Sequence, residues 1–144
     1  IDKSPVDGLY AALRAQQLIN DGEATRAIQL LDTAANGSES FQVRAVLLEA
    51  YAKARESSNA LEQARWLAQN RGRAYAEQGC GWCQQPFNVY TSTLAHLRAA
   101  ELLSDLGNEE EAQAGLRRLD SAWDSATLPA PLRLRREAVL ATFN

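Results

Sequence analysis

The chain has no methionine, two cysteines and a single histidine, which removes several chemistries at the outset. Two cysteines spaced C-x-x-C are not a disulfide framework, and a four-ligand zinc site would need two more ligands. A zinc site built from Cys80, Cys83 and His96 would still lack a fourth, so the default for His96 is an ordinary packed or surface histidine. No apolar run approaches the roughly 20 residues that span a bilayer. Positive charge is not in excess: the net charge is −3, which argues against bulk attraction to nucleic acid or an anionic membrane. There is no phosphate-binding Gly loop, no H-E-x-x-H and no catalytic-triad signature. No stretch reads as strand. A chain beginning at Ile1 reads as a fragment or a processed form, and a missing N-terminus is where a targeting signal would lie.

What remains is helix. At 144 residues and 46% hydrophobic the chain is long enough for one domain with its own core. Ser4-Pro5-Val6-Asp7 is a helix start, and the first helix carries Leu9, Leu13 and Leu18 until Asn20-Asp21-Gly22 breaks it. Ala24, Ala27, Ile28, Leu31, Ala34 and Ala35 stripe a second helix, stopped at Asn36-Gly37. A third begins near Glu39, with Val43, Val46, Leu47, Ala50, Tyr51 and Ala54 on one face. Asn59 and Glu62 predict a capping box for a fourth helix reaching about Gln78, with Leu61, Ala64, Leu67, Ala68 and Tyr75 inward and Trp66 off the stripe. After the loop around Cys80 a fifth helix runs from Pro86 or Phe87 to Leu106. Asn108 and Glu111 cap a sixth, striped by Ala112, Leu116, Leu119 and Trp123. A last helix, about Leu132 to Phe143, is predicted to be a terminal cap whose Arg133, Arg135 and Arg136 face water.

The hairpins resemble the tetratricopeptide repeat. Ala15, Leu18, Gly22, Ala27, Leu31 and Ala34 fall on that family's small and large positions, and Ala100, Leu103, Gly107, Ala112 and Leu116 repeat them. Leu47, Leu48 and Tyr51 align a middle unit. That unit departs from the pattern: Arg55 stands where the turn glycine belongs, Ala64 comes about one turn late, and the step from Tyr51 to Leu103 is far too long for one repeat. The resemblance implies an all-α right-handed superhelix of about three antiparallel hairpins, near residues 5–36, 39–78 and 87–124, plus a cap helix near 131–143. It implies a non-catalytic scaffold that takes a protein or peptide partner in a groove lined by the first helix of each hairpin, within a sensor or scaffold region of a larger bacterial protein. Carried over by phase, the groove residues are Gln16, Asn20, Gln42, Glu49, Lys53, Glu101, Ser104 and Asp105, a mixed and mildly acidic set. No metal, cofactor, nucleic-acid partner or direct membrane insertion is expected.

Two features lie outside the repeat. Cys80-Gly81-Trp82-Cys83 precedes a helix N-terminus, a setting that lowers a thiol pKa. The motif is similar to that of the alkylhydroperoxidase-like helical proteins, but their proton-handling histidine is replaced by Phe87, which weakens the thiol-redox alternative. A local disulfide between Cys80 and Cys83 is the plainer reading and favours an extracytoplasmic setting. Trp82 reads equally as an exposed aromatic anchor or as a plug over the helix junction.

Overall fold

The computed structural model describes residues 5–35, 40–77 and 84–143 and is all-α, with no strand among them. Eight helices follow in order: α1 (Pro5–Asn20), α2 (Ala24–Ala35), α3 (Phe41–Lys53), α4 (Ser57–Gln69), α5 (Arg71–Ala76), α6 (Gln84–Asp105), α7 (Glu109–Ala122) and α8 (Ala130–Ala141). Each packs against its sequence neighbour or the next but one: α1 on α2 and α3, α2 on α3, α3 on α4, α4 on α6, α6 on α7, and α8 across α6 and α7. Cys80, Trp82 and Cys83 lie outside the described residues.

Three turns share one backbone geometry. After α1, the Glu23 amide donates to the Leu18 carbonyl at 2.8 Å and Gly22 to Ile19 at 3.1 Å. After α3, Glu56 donates to Tyr51 at 2.9 Å and Arg55 to Ala52 at 3.2 Å; after α6, Asn108 donates to Leu103 at 2.8 Å and Gly107 to Ser104 at 3.0 Å. These paired bonds close a Schellman motif, which needs a left-handed residue just past the helix. Gly22 (φ 82°) and Gly107 (φ 74°) meet that need without a Cβ penalty. Arg55, at φ 61°, adopts the same conformation with a side chain attached. The missing glycine has therefore not changed the turn.

Five residues beyond each turn an alanine is fully buried: Ala27, Ala60 and Ala112. A methyl group there lets the second helix lie close to the first. Ala60, not the later Ala64, is thus the middle unit's counterpart, and the expected slip of one turn does not occur. The Asn59–Glu62 capping box is absent for the same reason. α4 starts at Ser57, so Asn59 is already inside it and donates to the Glu56 carboxylate at 2.7 Å. At Asn108 the expected cap forms, its side chain accepting from the Glu111 amide at 3.3 Å. Other boundaries shift by a few residues: α3 starts at Phe41, α6 at Gln84, and α8 covers Ala130–Ala141.

The long fourth helix is divided in two. Asn70 closes α4, its side-chain amide donating to the Trp66 carbonyl at 2.8 Å, while its own carbonyl accepts from Arg73 at 2.9 Å to begin α5. The change of direction leaves Tyr75 46% exposed, against its predicted inward place. Trp66 is half-buried, its ring 6.0 Å from that of Phe41, with the guanidinium carbons of Arg44 and Arg73 at 5.2 and 5.9 Å from its centroid. Glu77, just past α5, accepts from the Phe41 amide at 2.7 Å, so the end of the middle unit returns to its beginning.

The core is continuous along α3, α4, α6, α7 and α8, with a second cluster joining α1, α2 and α3. Leu31, Phe41, Leu67, Leu97 and Leu119 are fully enclosed. At the α6–α7 crossing a Cβ on Gly115 would lie 3.1 Å from the His96 carbonyl oxygen, so this glycine sets how closely the two helices approach.

Candidate functional site

An open groove of about 960 Å³ is walled by α1, α3 and α6, with Arg135 of α8 reaching its edge. α1 packs on both α2 and α3, and α2 packs on α3. α6 meets α3 near the start of both, where the Gln42 amide donates to Asn88 at 2.6 Å. The groove is thus lined by α1, α3 and α6, the helices that precede the turns at Gly22, Arg55 and Gly107.

Four of the eight predicted groove residues line it: Gln16, Gln42, Glu49 and Lys53. The other four do not. Asn20 accepts a long 3.4 Å hydrogen bond from Gln16, Ser104 pairs with Thr142 at 2.7 Å, and Asp105 is exposed at the end of α6. Glu101 lies behind the lining, held by three guanidinium contacts. The Nε and Nη2 of Arg135 donate to it at 2.6 and 2.8 Å, and Nη1 of Arg98 at 2.8 Å. Burial works to raise the Glu101 pKa, but these hydrogen bonds outweigh it and hold the carboxyl below its ordinary value. Arg135 is correspondingly raised, first by its bond to Glu101.

Sequence phase missed what makes the groove apolar. Leu9, Leu13, Val46, Phe87 and Leu94 all line it. Leu13 is 70% and Phe87 54% exposed, in a chain where most large apolar side chains are enclosed. The signal was present: Leu13 lies off the stripe formed by Ala11, Ala15 and Leu18, and an apolar residue off the core stripe marks a second apolar surface. Arg135 was missed for a different reason, because the sequence does not show that α8 folds back beside α6, and Arg98, on α6 one turn before Glu101, was passed over in favour of that carboxylate. With them the lining carries three cations, Lys53, Arg98 and Arg135, against Glu49 alone. The mildly acidic character read from phase is thus reversed. Arg135 and Arg136 are also not simply on a wet face: Arg136 grips Asp120 of α7 through Nε and Nη2 at 2.8 and 2.6 Å.

Beneath the groove, Asn88 is fully buried and its amide nitrogen has no hydrogen-bond partner, while its oxygen accepts from Gln42. A smaller cleft of about 500 Å³ lies between α5, α6 and the end of α7, bordered by Arg71, Tyr75, Tyr90 and Trp123. The Tyr90 and Trp123 rings meet edge to face at 5.9 Å, so Trp123, which also packs against the core as its place on the stripe predicts, borders this cleft as well. His96 is half-buried on the opposite side of α6 from the groove. Burial lowers its pKa first, and the nearby Arg118 and Arg71 lower it further.

No group of three or more His, Cys, Asp or Glu side chains suited to a metal occurs among the described residues. No helix among them is long and apolar enough to cross a membrane. Comparison with protein-family models, with curated proteins and with solved structures gives no match, so the groove itself is the ground for a functional reading.

Proposed function

We propose that this chain is a non-catalytic protein-interaction scaffold of tetratricopeptide-like design, a sensor or scaffold region of a larger bacterial protein, that holds a peptide or partner segment in the α1–α3–α6 groove. One observation carries the reading: exposed Leu13 and Phe87 stand on opposite walls of a cavity large enough for several side chains. A groove with apolar walls and a charged edge is the usual form of a peptide site. The like turns at Gly22, Arg55 and Gly107, each followed five residues later by a buried alanine, are in keeping with the family resemblance.

Site-specific photo-crosslinking in cells tests this. A benzophenone amino acid at Leu13 should capture a discrete partner, whereas the same group at Leu134, 65% exposed on α8 and off the groove lining, should not. Equal capture at both positions, or none at Leu13, would reject the groove as the binding surface.

A further inference from the structure

The geometry points to an acidic amphipathic helix as the occupant of this groove, bound with its apolar face on the α1, α3 and α6 walls and its carboxylates at the end marked by Lys53, Arg98 and Arg135. This rests on the groove being the binding site and adds what it selects. The first ground is charge. The chain as a whole is acidic, at −3, yet in the groove Lys53, Arg98 and Arg135 outnumber Glu49 and the Glu101 that pairs with both arginines, a small positive excess. Lys53 makes no ion pair among the described residues, and the Nη1 of Arg135 and the Nε and Nη2 of Arg98 are left over after Glu101 is bound.

The second ground is where those cations sit. Gln42 and Phe87 lie near the starts of α3 and α6, and Lys53 and Arg98 each follow eleven residues later. At about 1.5 Å per residue the two ends of the lining are roughly 16 Å apart. Phe87 stands near one end, and Arg98 and Arg135, brought together by Glu101, stand toward the other, with Glu49 close enough to act on Arg135 and Lys53 one turn beyond it. The site thus has a direction, and an occupant with carboxylates at one end of an apolar face fits it one way round.

The third ground concerns the occupant's backbone. An extended peptide must find hydrogen bonds for its own amides and carbonyls when it leaves water. Gln42, among the few polar side chains deep in the groove, already donates to Asn88. A helix satisfies its backbone internally and asks the walls for apolar contact alone.

The test is a displayed library of 18-residue amphipathic peptides selected on the whole immobilised protein. Their apolar face is fixed in helical spacing, and Glu, Gln or Lys varies at the flanking positions. A parallel library carries a central proline. Selection should enrich Glu clustered toward one end and should leave the proline library empty. By fluorescence anisotropy the enriched peptide should weaken about tenfold on Lys53→Glu, should weaken with added salt, and should be lost on Leu13→Glu. Both side chains are exposed, so neither change disturbs the core. Peptides that lose binding on Leu13→Glu but carry neutral or basic flanks would keep the groove and overturn the acidic occupant; equal recovery from the proline library would overturn the helix. Peptides indifferent to Leu13→Glu, or no peptide and no self-association, would reject the groove and this inference with it. Self-association that Leu13→Glu abolishes, with no peptide enriched, would name a second copy as occupant and overturn the proposal.

Discussion

Replacing Arg55 by glycine should stabilise the protein. The residue sits at φ 61° in the turn after α3, and a left-handed residue bearing a Cβ costs about 1–2 kcal/mol. Glycine removes that cost and returns part of it as a more flexible unfolded chain, a loss of about 0.5–1 kcal/mol. The Arg55 side chain is exposed and makes no ion pair or hydrogen bond among the described residues, so its removal sacrifices no contact. The net expectation is a gain of about 0.5–1 kcal/mol, or about 2–4 °C in Tm for a chain of this size. Urea and thermal unfolding followed by circular dichroism would measure it. Internal controls are available. Gly22→Ala and Gly107→Ala meet no atom within 4 Å, so their expected cost of about 1 kcal/mol is backbone strain alone. Gly72→Ala, also in open space but without a positive φ and inside α5, should stabilise instead. A neutral or destabilising Arg55→Gly, alongside destabilising Gly22→Ala and Gly107→Ala, would show that the middle turn is not strained as described.

Three further outcomes are expected. Gly115→Ala forces a methyl to within 3.1 Å of a backbone oxygen of α6 and should cost about 1–2 kcal/mol, read as a fall in urea midpoint at unchanged m-value. Glu77→Ala, which leaves the Phe41 amide without its acceptor, should cost about 1 kcal/mol, while Glu77→Gln keeps an acceptor and should cost less than half of that. Burial raises the Glu77 pKa above its ordinary 4.5, so this site favours the folded state more as pH falls through the raised value, and the Gln variant should lose that trend. His96 has the opposite sign: its folded pKa is depressed, so its contribution is complete above about 6.5 and is lost as pH falls below that. His96→Gln should flatten the stability profile between pH 5 and about 6.5 relative to the wild type, and an unchanged profile would refute the assignment.

Much of the fold was legible because its signals are local. Gly22 and Gly107 ended helices, Asn108 began one, and the apolar spacing placed Ala27, Ile28 and Leu31 of α2 and Ala112, Leu116 and Leu119 of α7 in the core. The middle unit misled for equally physical reasons. The arginine at position 55 does not forbid the left-handed conformation; it makes it costlier, and the packing of Ala60 against the preceding helix keeps the turn in place. Asn70 could not be read as a helix break, since asparagine within an otherwise helical pattern serves equally well as a surface residue. The groove was half legible. Its polar members on α1 and α3 follow from helical phase, but its apolar walls look like any core residue in sequence. The role of Arg135 depends on a contact with Glu101 across 34 positions.

That contact has a consequence for selectivity. Glu101 neutralises much of the Arg98 and Arg135 charge, so the acidic occupant proposed above would have to share both arginines with it. The guanidiniums are thereby fixed in orientation, so an incoming carboxylate finds donors already aimed and loses little entropy in arranging them. A neutral or basic segment gains nothing from that preparation, since the pair is content without it. Discrimination then comes from how well a newcomer can share two arginines with a resident acid, and a Glu101→Gln protein should hold acidic partners more tightly while telling them apart less well.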